Sequence, residues 1–339
     1  MATYDLVAAT APGQLGVVQD TIPEPAEDQV VIRVEYSTLS PFDLYNLDRN
    51  FFVFKYPHVF GVTASGTIAK VGSSVPDLSV GDRVIALPFP PGNKGLQAYT
   101  LQSRSVVTKI PDSLPLEKAV TYPDNFTTAF FTLFNQLDLP IPDEWPAKDT
   151  PNSVRPILVY GAGSTSGQHT IQLLKYAGYT NVVAVASKKH EQFLETLGAA
   201  HVVDYNSPSF AEDVIMAAGG KVELVVDSIS LPSTFALIKD EASMETDGEL
   251  VQEAPKEIQD TFPENVSLIA VSTFFFQKDK RLADTLIPVF LPKLIGIGLQ
   301  PNRVRLLNHA DLLTRVKDGF DLLRQNKISG EKLVIKVGQ

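Results

Sequence analysis

The chain has 339 residues, 44% of them apolar, which suffices for two buried cores and argues against disorder. Its 29 basic and 39 acidic residues give a net charge of −10, without the basic stripe that a nucleic-acid partner requires. There is no cysteine, so disulfides, thiolate metal sites and cysteine nucleophiles are excluded.

The N-terminal MATYDLVAAT lacks the basic head and apolar core of a secretion signal. No window reaches the ~18 apolar residues of a membrane span, and the run Leu286–Leu299 is broken by Pro288, Pro292, Gly296 and Gly298. A cytoplasmic protein with no membrane partner is expected. Residues 1–124 read as mostly β: Gln29–Tyr36 alternates over part of its length, and Thr63–Val71 and Asp82–Leu87 are further strands. The Ser-, Pro- and Asp-rich Gly72–Gly81 between them has turn chemistry. Residues 140–156 hold five prolines and read as a surface insertion.

From Ile157 the rhythm changes. Strands are predicted at Ile157–Tyr160, Val182–Ala186, His201–Val203 and Val222–Val226. Helices fall between them at Ser166–Ala177, Lys189–Leu197 (closed by Gly198) and Ser209–Ala218. That alternation means an α/β fold with a parallel sheet. At the tail, Ala310–Arg324 carries an apolar stripe and Lys332–Val337 alternates as a strand.

Between the first predicted strand of this sheet and its helix lies GAGSTSG. Gly161 and Gly163 permit a tight turn and close backbone approach, and Gly167 lets the helix lie near the strand. Ser164, Thr165 and Ser166 offer hydroxyls and amides at a helix N-terminus, a seat for a pyrophosphate. The spacing is GxGxxxG rather than the commoner GxGxxG. The second strand ends in Ser187-Lys188-Lys189, where an NAD site places an acid for the ribose hydroxyl. A hydroxyl and two ammonium groups suit a 2′-phosphate, so NADP(H) is expected.

Five ordered segments carry a resemblance: FGVTASGTIAKVGSSVPDLSVGDRVIAL (60–87), PDNFTTAFFTLFNQLDLPIP (123–142), VYGAGSTSGQ, SKKHEQFLETLGAAHVVDY (187–205) and NKISGEKLVIKV near the end. The chain resembles the medium-chain dehydrogenase/reductase superfamily, in its zinc-independent branch of quinone and enoyl reductases, and is similar to fungal enoyl-reductase-like members. The resemblance implies a GroES-like β-barrel catalytic domain (1–124 and 300–339) and a Rossmann doubly wound parallel-sheet cofactor domain (125–299). It implies that Tyr205 contacts the 2′-phosphate and Thr128 the nicotinamide ribose. Gly61-Val62-Thr63 stands where zinc-dependent relatives carry Gly-His-Glu, and His58, His169, His190, His201 and His309 are scattered, so no metal is expected.

Ser40-Pro41-Phe42-Asp43-Leu44-Tyr45 matches the family's Asn-x-x-Asp-x-Tyr stretch, with Ser40 in place of Asn. Ser40 and Tyr45 are the catalytic candidates. Phe51 stands where mitochondrial-type relatives carry a tyrosine acid, which leaves Tyr45, water or a ribose relay as proton donor. Asp43 and Tyr45 are also consistent with purely structural roles. The resemblance brings Phe51–Phe54 and Phe274–Phe276 toward the substrate, a buried core being the other explanation of both runs; lining the pocket, they favour a small apolar or aromatic conjugated carbonyl compound. The expected activity is metal-free, NADPH-dependent reduction of a quinone or enone. A trans-acting enoyl reductase serving a polyketide synthase and a non-catalytic NADPH-binding protein are the alternatives. A homodimer through an edge strand at Val266–Ser272 is expected by the same resemblance, with a monomer as the other possibility.

Overall fold

The structure is a computed structural model that describes residues 2–88, 94–151, 153–229, 269 and 271–338. The chain divides into two compact units, one of Met1–Asp124, Gln277–Gly296 and Pro301–Gln339, the other of Asn125–Phe276 and Ile297–Gln300. The segment Gln277–Gly296, assigned from the sequence to the cofactor domain, therefore belongs with the first unit. Its Leu282, Leu286, Ile287, Leu291 and Leu294 are buried, and the 286–290 turn packs on the strand Val107–Lys109.

The first unit is built on antiparallel pairing. Among the described residues, its larger sheet runs Arg303–Leu307, Glu331–Lys336, Gln29–Leu39, Ala64–Val71, Arg83–Ala86 and Val107–Lys109, with Tyr99–Ser103 also paired to Gln29–Leu39. Register shifts at Val31/Ile32 and Val34/Tyr36 mark bulges on the long central strand. Such bulges bend a sheet toward closure. A second sheet joins Thr3–Ala11 to Gln14–Thr21 and His58–Val59. The tail strand, read from sequence as alternating, has four consecutive buried residues from Lys332 to Ile335. It lies between two strands, and the helix Leu312–Arg324 covers it. Gly319 of that helix allows the contact: a Cβ there would meet Leu39 Cδ1 at 2.9 Å. The core of this unit gathers Leu39, Leu47, Phe60, Leu96, Val316, Phe320 and Ile335.

The second unit holds a parallel sheet in the order His201–Asp204, Val182–Ala186, Ile157–Tyr160, Leu224–Asp227. Ile157–Tyr160, the first strand of this sheet in chain order, is central and the order reverses beside it, as in the mononucleotide-binding half of a Rossmann fold. Every residue of Ile157–Tyr160 and Val182–Ala186 is buried, which explains their unbroken apolar sequences. Leu158, Val183, Val185, Phe210 and Val214 form the core on one side. The edge strand expected at Val266–Ser272 lies largely outside the described residues. Among the described residues, no helix is long and apolar enough to cross a membrane.

Candidate functional site

In the second unit the chain leaves the central strand through Gly161, whose φ of 73° is a left-handed conformation that glycine adopts without strain. Ser164 caps the helix Thr165–Tyr176, its Oγ accepting from Gly167 N at 3.0 Å. That cap starts the helix one residue before the expected Ser166. A Cβ on Gly167 would lie 2.6 Å from the Gly161 carbonyl oxygen and 2.7 Å from Ala162 Cα. Only glycine lets this helix begin so near the strand. The N-terminal end of this helix presents its first-turn amides and the positive end of its dipole to the turn. The turn thus fits a pyrophosphate by backbone shape and by dipole.

Neighbouring side chains fix the turn. Ser166 Oγ accepts from Asn125 Nδ2 at 3.0 Å. Asn125 shares the helix Tyr122–Phe131 with Thr128. Thr128 lies well inside that helix, and its Oγ1 accepts from Thr273 Oγ1 at 3.2 Å. Gly163 faces the buried His190, whose Cδ2 would lie 2.9 Å from an added Cβ. A bulky residue at Gly163 would therefore displace His190.

Ser187, Lys188 and Lys189 follow the second strand, with both lysines exposed. Tyr205 follows the neighbouring strand and is 45% exposed. The register pairs Ala186 with Asp204. The sheet therefore brings a carboxylate beside a strand end that the sequence, read along one strand, gives as free of acid. Asp204 Oδ1 accepts from Asn206 N at 3.0 Å and Asn206 Nδ2 at 3.1 Å, which turns it toward its own loop.

In the first unit the helix Pro41–Arg49 begins after Ser40. Asp43, fully buried, reaches back along this turn. Its Oδ2 accepts from Ser40 N at 2.9 Å and Ser40 Oγ at 2.8 Å, and its Oδ1 accepts from Gly61 N at 2.9 Å. The Ser40 hydroxyl is thus committed to Asp43. Burial pushes the Asp43 carboxyl up, while Lys94 and these hydrogen bonds pull it back. Tyr45 is 39% exposed, with the Arg49 guanidinium 4.7 Å above its ring. Phe51 stacks edge-on to Phe42 and Phe52, with ring centroids 6.1 and 4.7 Å apart. Phe51, Phe52 and Phe54 are all exposed large aromatics. Phe276 is buried in the turn Thr273–Lys278, and the side chains of Phe274 and Phe275 lie outside the described residues.

Zinc does not fit the donor set. Val62 has no donor atom, and Thr63 Oγ1 is 2.7 Å from Thr38 Oγ1, each hydroxyl occupying the other. Gly61 has a φ of 90°, and a Cβ there would meet Ser37 Oγ at 2.3 Å. His58 is pushed down to about 4, by burial first and by Lys94 second, so it is neutral near pH 7. Among the described residues no group of three or more His, Cys, Asp or Glu is placed to hold a metal. The buried Lys94 was not singled out from the sequence, where a lysine between glycines reads as a loop cation.

A Rossmann-type sheet with a capped glycine turn, carried on one chain with an antiparallel β unit, defines a pyridine-nucleotide-dependent oxidoreductase. Known proteins agree. The alcohol dehydrogenase GroES-like domain matches residues 26–111 and the zinc-binding dehydrogenase family matches residues 167–267. Trans-enoyl reductase himH of Aspergillus japonicus is 31% identical over 320 residues, covering 92% of this chain and 90% of that one. Trans-enoyl reductase tazE of Aspergillus terreus is 33% identical over 227 residues, covering 64% and 73%. The crystal structure of CurK enoyl reductase superposes with a TM-score of 0.77 at 20% identity, over 98% of both chains. The chain belongs to the medium-chain dehydrogenase/reductase family, in its enoyl-reductase-like branch.

Proposed function

We propose that the protein is an NADPH-dependent reductase of conjugated carbonyl compounds, quinones or enones, that works without a metal. The observation that carries this reading is the pairing of a dinucleotide turn with a Gly61-Val62-Thr63 segment that supplies no Lewis-acid ligand. Without a metal an alkoxide has little to stabilise it, so a simple alcohol is a poor substrate. A conjugated acceptor spreads the charge into an enolate and needs only positioning and a hydrogen-bond donor.

Gly161, Gly163 and Gly167 would admit the pyrophosphate, with Ser164, Thr165 and Ser166 at its helix. Thr128 would hold the nicotinamide ribose. Ser187, Lys188, Lys189 and Tyr205 would take the 2′-phosphate; the exposed ammonium pair outweighs the single Asp204 carboxylate, which is engaged by Asn206. Bound NADPH supplies the hydride that adds to the β-carbon. Asp43 holds the Ser40 turn and the Gly61 loop in place, and Tyr45 faces solvent on the same helix. The exposed Phe51, Phe52 and Phe54 offer an apolar wall for the substrate.

The names of himH and tazE favour one second reading, a trans-acting enoyl reductase that works on an acyl chain carried by a polyketide synthase. NADPH oxidation, followed with quinones, enones, free enoyl thioesters and carrier-bound enoyl thioesters, tests both. Turnover of free acceptors supports the first reading. Activity only on the carrier-bound thioester favours the second. NADPH binding with no turnover on any acceptor leaves a non-catalytic NADPH-binding protein.

A further inference from the structure

Lys94 is a buried cation of the first unit that the mechanism above leaves unused. It is only 8% exposed. Its backbone is held firmly: its carbonyl accepts from Gln97 Nε2 at 2.8 Å. The next two residues are stitched to the Phe60-Gly61 segment, Gly95 N donating to Gly61 O at 2.8 Å and Leu96 N to Phe60 O at 2.9 Å. Among the described residues, no hydrogen bond or ion pair engages Nζ. The ammonium instead lies 5.5 Å from the Phe42 ring centroid. An ammonium so buried and without a polar acceptor is costly, and folded proteins rarely keep one without a use.

We propose that the Lys94 ammonium binds the carbonyl oxygen of the conjugated substrate and stabilises the enolate that develops on it, an inference that rests on the reductase reading above. The surroundings select for that group. Phe42 lies against the ammonium and also meets the rings of Phe51 and Phe52, each 6.1 Å away. One cation set among aromatic faces suits an apolar molecule with a single strong acceptor. A sugar or a phosphate ester would need several more donors.

The charged neighbours leave the ammonium available. Asp43 attracts it, but the Asp43 oxygens are already taken by Ser40 and Gly61. Asp124 also attracts it and is bound to Lys332 Nζ at 2.5 Å. His58 is neutral near pH 7. As hydride adds to the β-carbon, the C=C pair shifts to the bond between the α-carbon and the carbonyl carbon, and the C=O π pair moves onto the oxygen. There the Lys94 N–H hydrogen bond strengthens with the developing charge. The α-carbon then takes a proton from water, the hydroxide left behind is neutralised by the medium, and Lys94 keeps its own proton.

The test is Lys94→Met, which keeps the apolar stem and deletes the charge. Enone kcat/KM should fall about 10²-fold or more, the scale for losing one oxyanion donor. NADPH affinity should stay within about twofold, and Tm should be unchanged or higher, since the variant removes an unpaired buried charge. Burial lowers the Lys94 pKa below its ordinary 10.5. The ammonium is the active form, so wild-type enone activity should decline as pH rises through that lowered value, and Lys94→Met should lose this limb. Enone turnover within about threefold of wild type in Lys94→Met overturns the inference and leaves the reductase reading intact. A large drop in Tm with loss of NADPH binding also overturns it, because Lys94 would then be structural. A wild type that binds NADPH but reduces no acceptor overturns the reductase reading itself, and the inference with it.

Discussion

Gly167→Ala tests whether the cofactor turn works by close backbone approach. The added Cβ would lie 2.6 Å from Gly161 O, 2.7 Å from Ala162 Cα and 2.9 Å from Ala162 O. Ordinary contact begins at 3.4 Å, so the helix and the turn must part by about 0.8 Å. All three obstacles are backbone or Cα atoms of the turn itself, so no rotamer change relieves them. Overpacking of this size costs ~1–3 kcal/mol. The gain in helix propensity from Gly to Ala returns at most ~1 kcal/mol. Strain wins, with a net loss of about 1–2 kcal/mol. For a unit of this size that lowers Tm by roughly 2–8 °C. Displacing the turn by nearly an ångström should also weaken NADPH binding by about 10- to 100-fold, by analogy with the sensitivity of positioned groups. Thermal denaturation and titration calorimetry measure the two effects. Gly296→Ala is the control, because nothing lies within 4 Å of its added Cβ. A Gly167→Ala variant with the Tm and NADPH affinity of the wild type would refute the reasoning, since the helix would then have room to spare.

Replacing Lys188 and Lys189 together with alanine should cut the preference for NADPH over NADH by about 10-fold or more, and Asp204→Asn should raise it by a few fold, both read as ratios of Kd. Equal affinity for the two cofactors in the wild type would remove the basis for both expectations. Asp43→Ala should destabilise the protein by ~3 kcal/mol or more, because it leaves the buried Ser40 and Gly61 donors without their acceptor. The urea midpoint measures this, and a change under ~1 kcal/mol would contradict the buried geometry. Tyr45→Phe should change enone turnover by less than about threefold, given the exposed ring and its contact with Arg49; a loss on the ~10²-fold scale of a general acid would make Tyr45 the proton donor.

Much of the second unit was legible in the chain. The apolar strands at 157–160 and 182–186 needed no partner to be recognised, because both faces are covered and the residues are apolar throughout. The glycine turn was legible for the same kind of reason: positive φ at Gly161 and a close approach at Gly167 are demands that a local sequence must meet locally. The Gly198 helix stop and the alternation of strand and helix belong with these. That no thiolate metal site exists is a fact of composition, since the chain has no cysteine.

What depended on residues far apart in sequence was decided only by the folded chain. Asp204 reaches the end of the second strand through sheet register, which no reading along one strand contains. Segment 277–296 joins the first unit because its leucines find their partner surface at Val107–Lys109, about 180 positions earlier. The tail strand is buried on both sides because it is flanked by strands from both ends of the chain and covered by a helix, although its sequence alternates as an exposed strand would. Ser40, a catalytic candidate from its place in a motif, spends its hydroxyl on Asp43. Lys94 reads as a loop cation until the fold closes over it. Burial and missing partners are properties of the surroundings, and those surroundings are assembled by tertiary packing, not by neighbours in sequence.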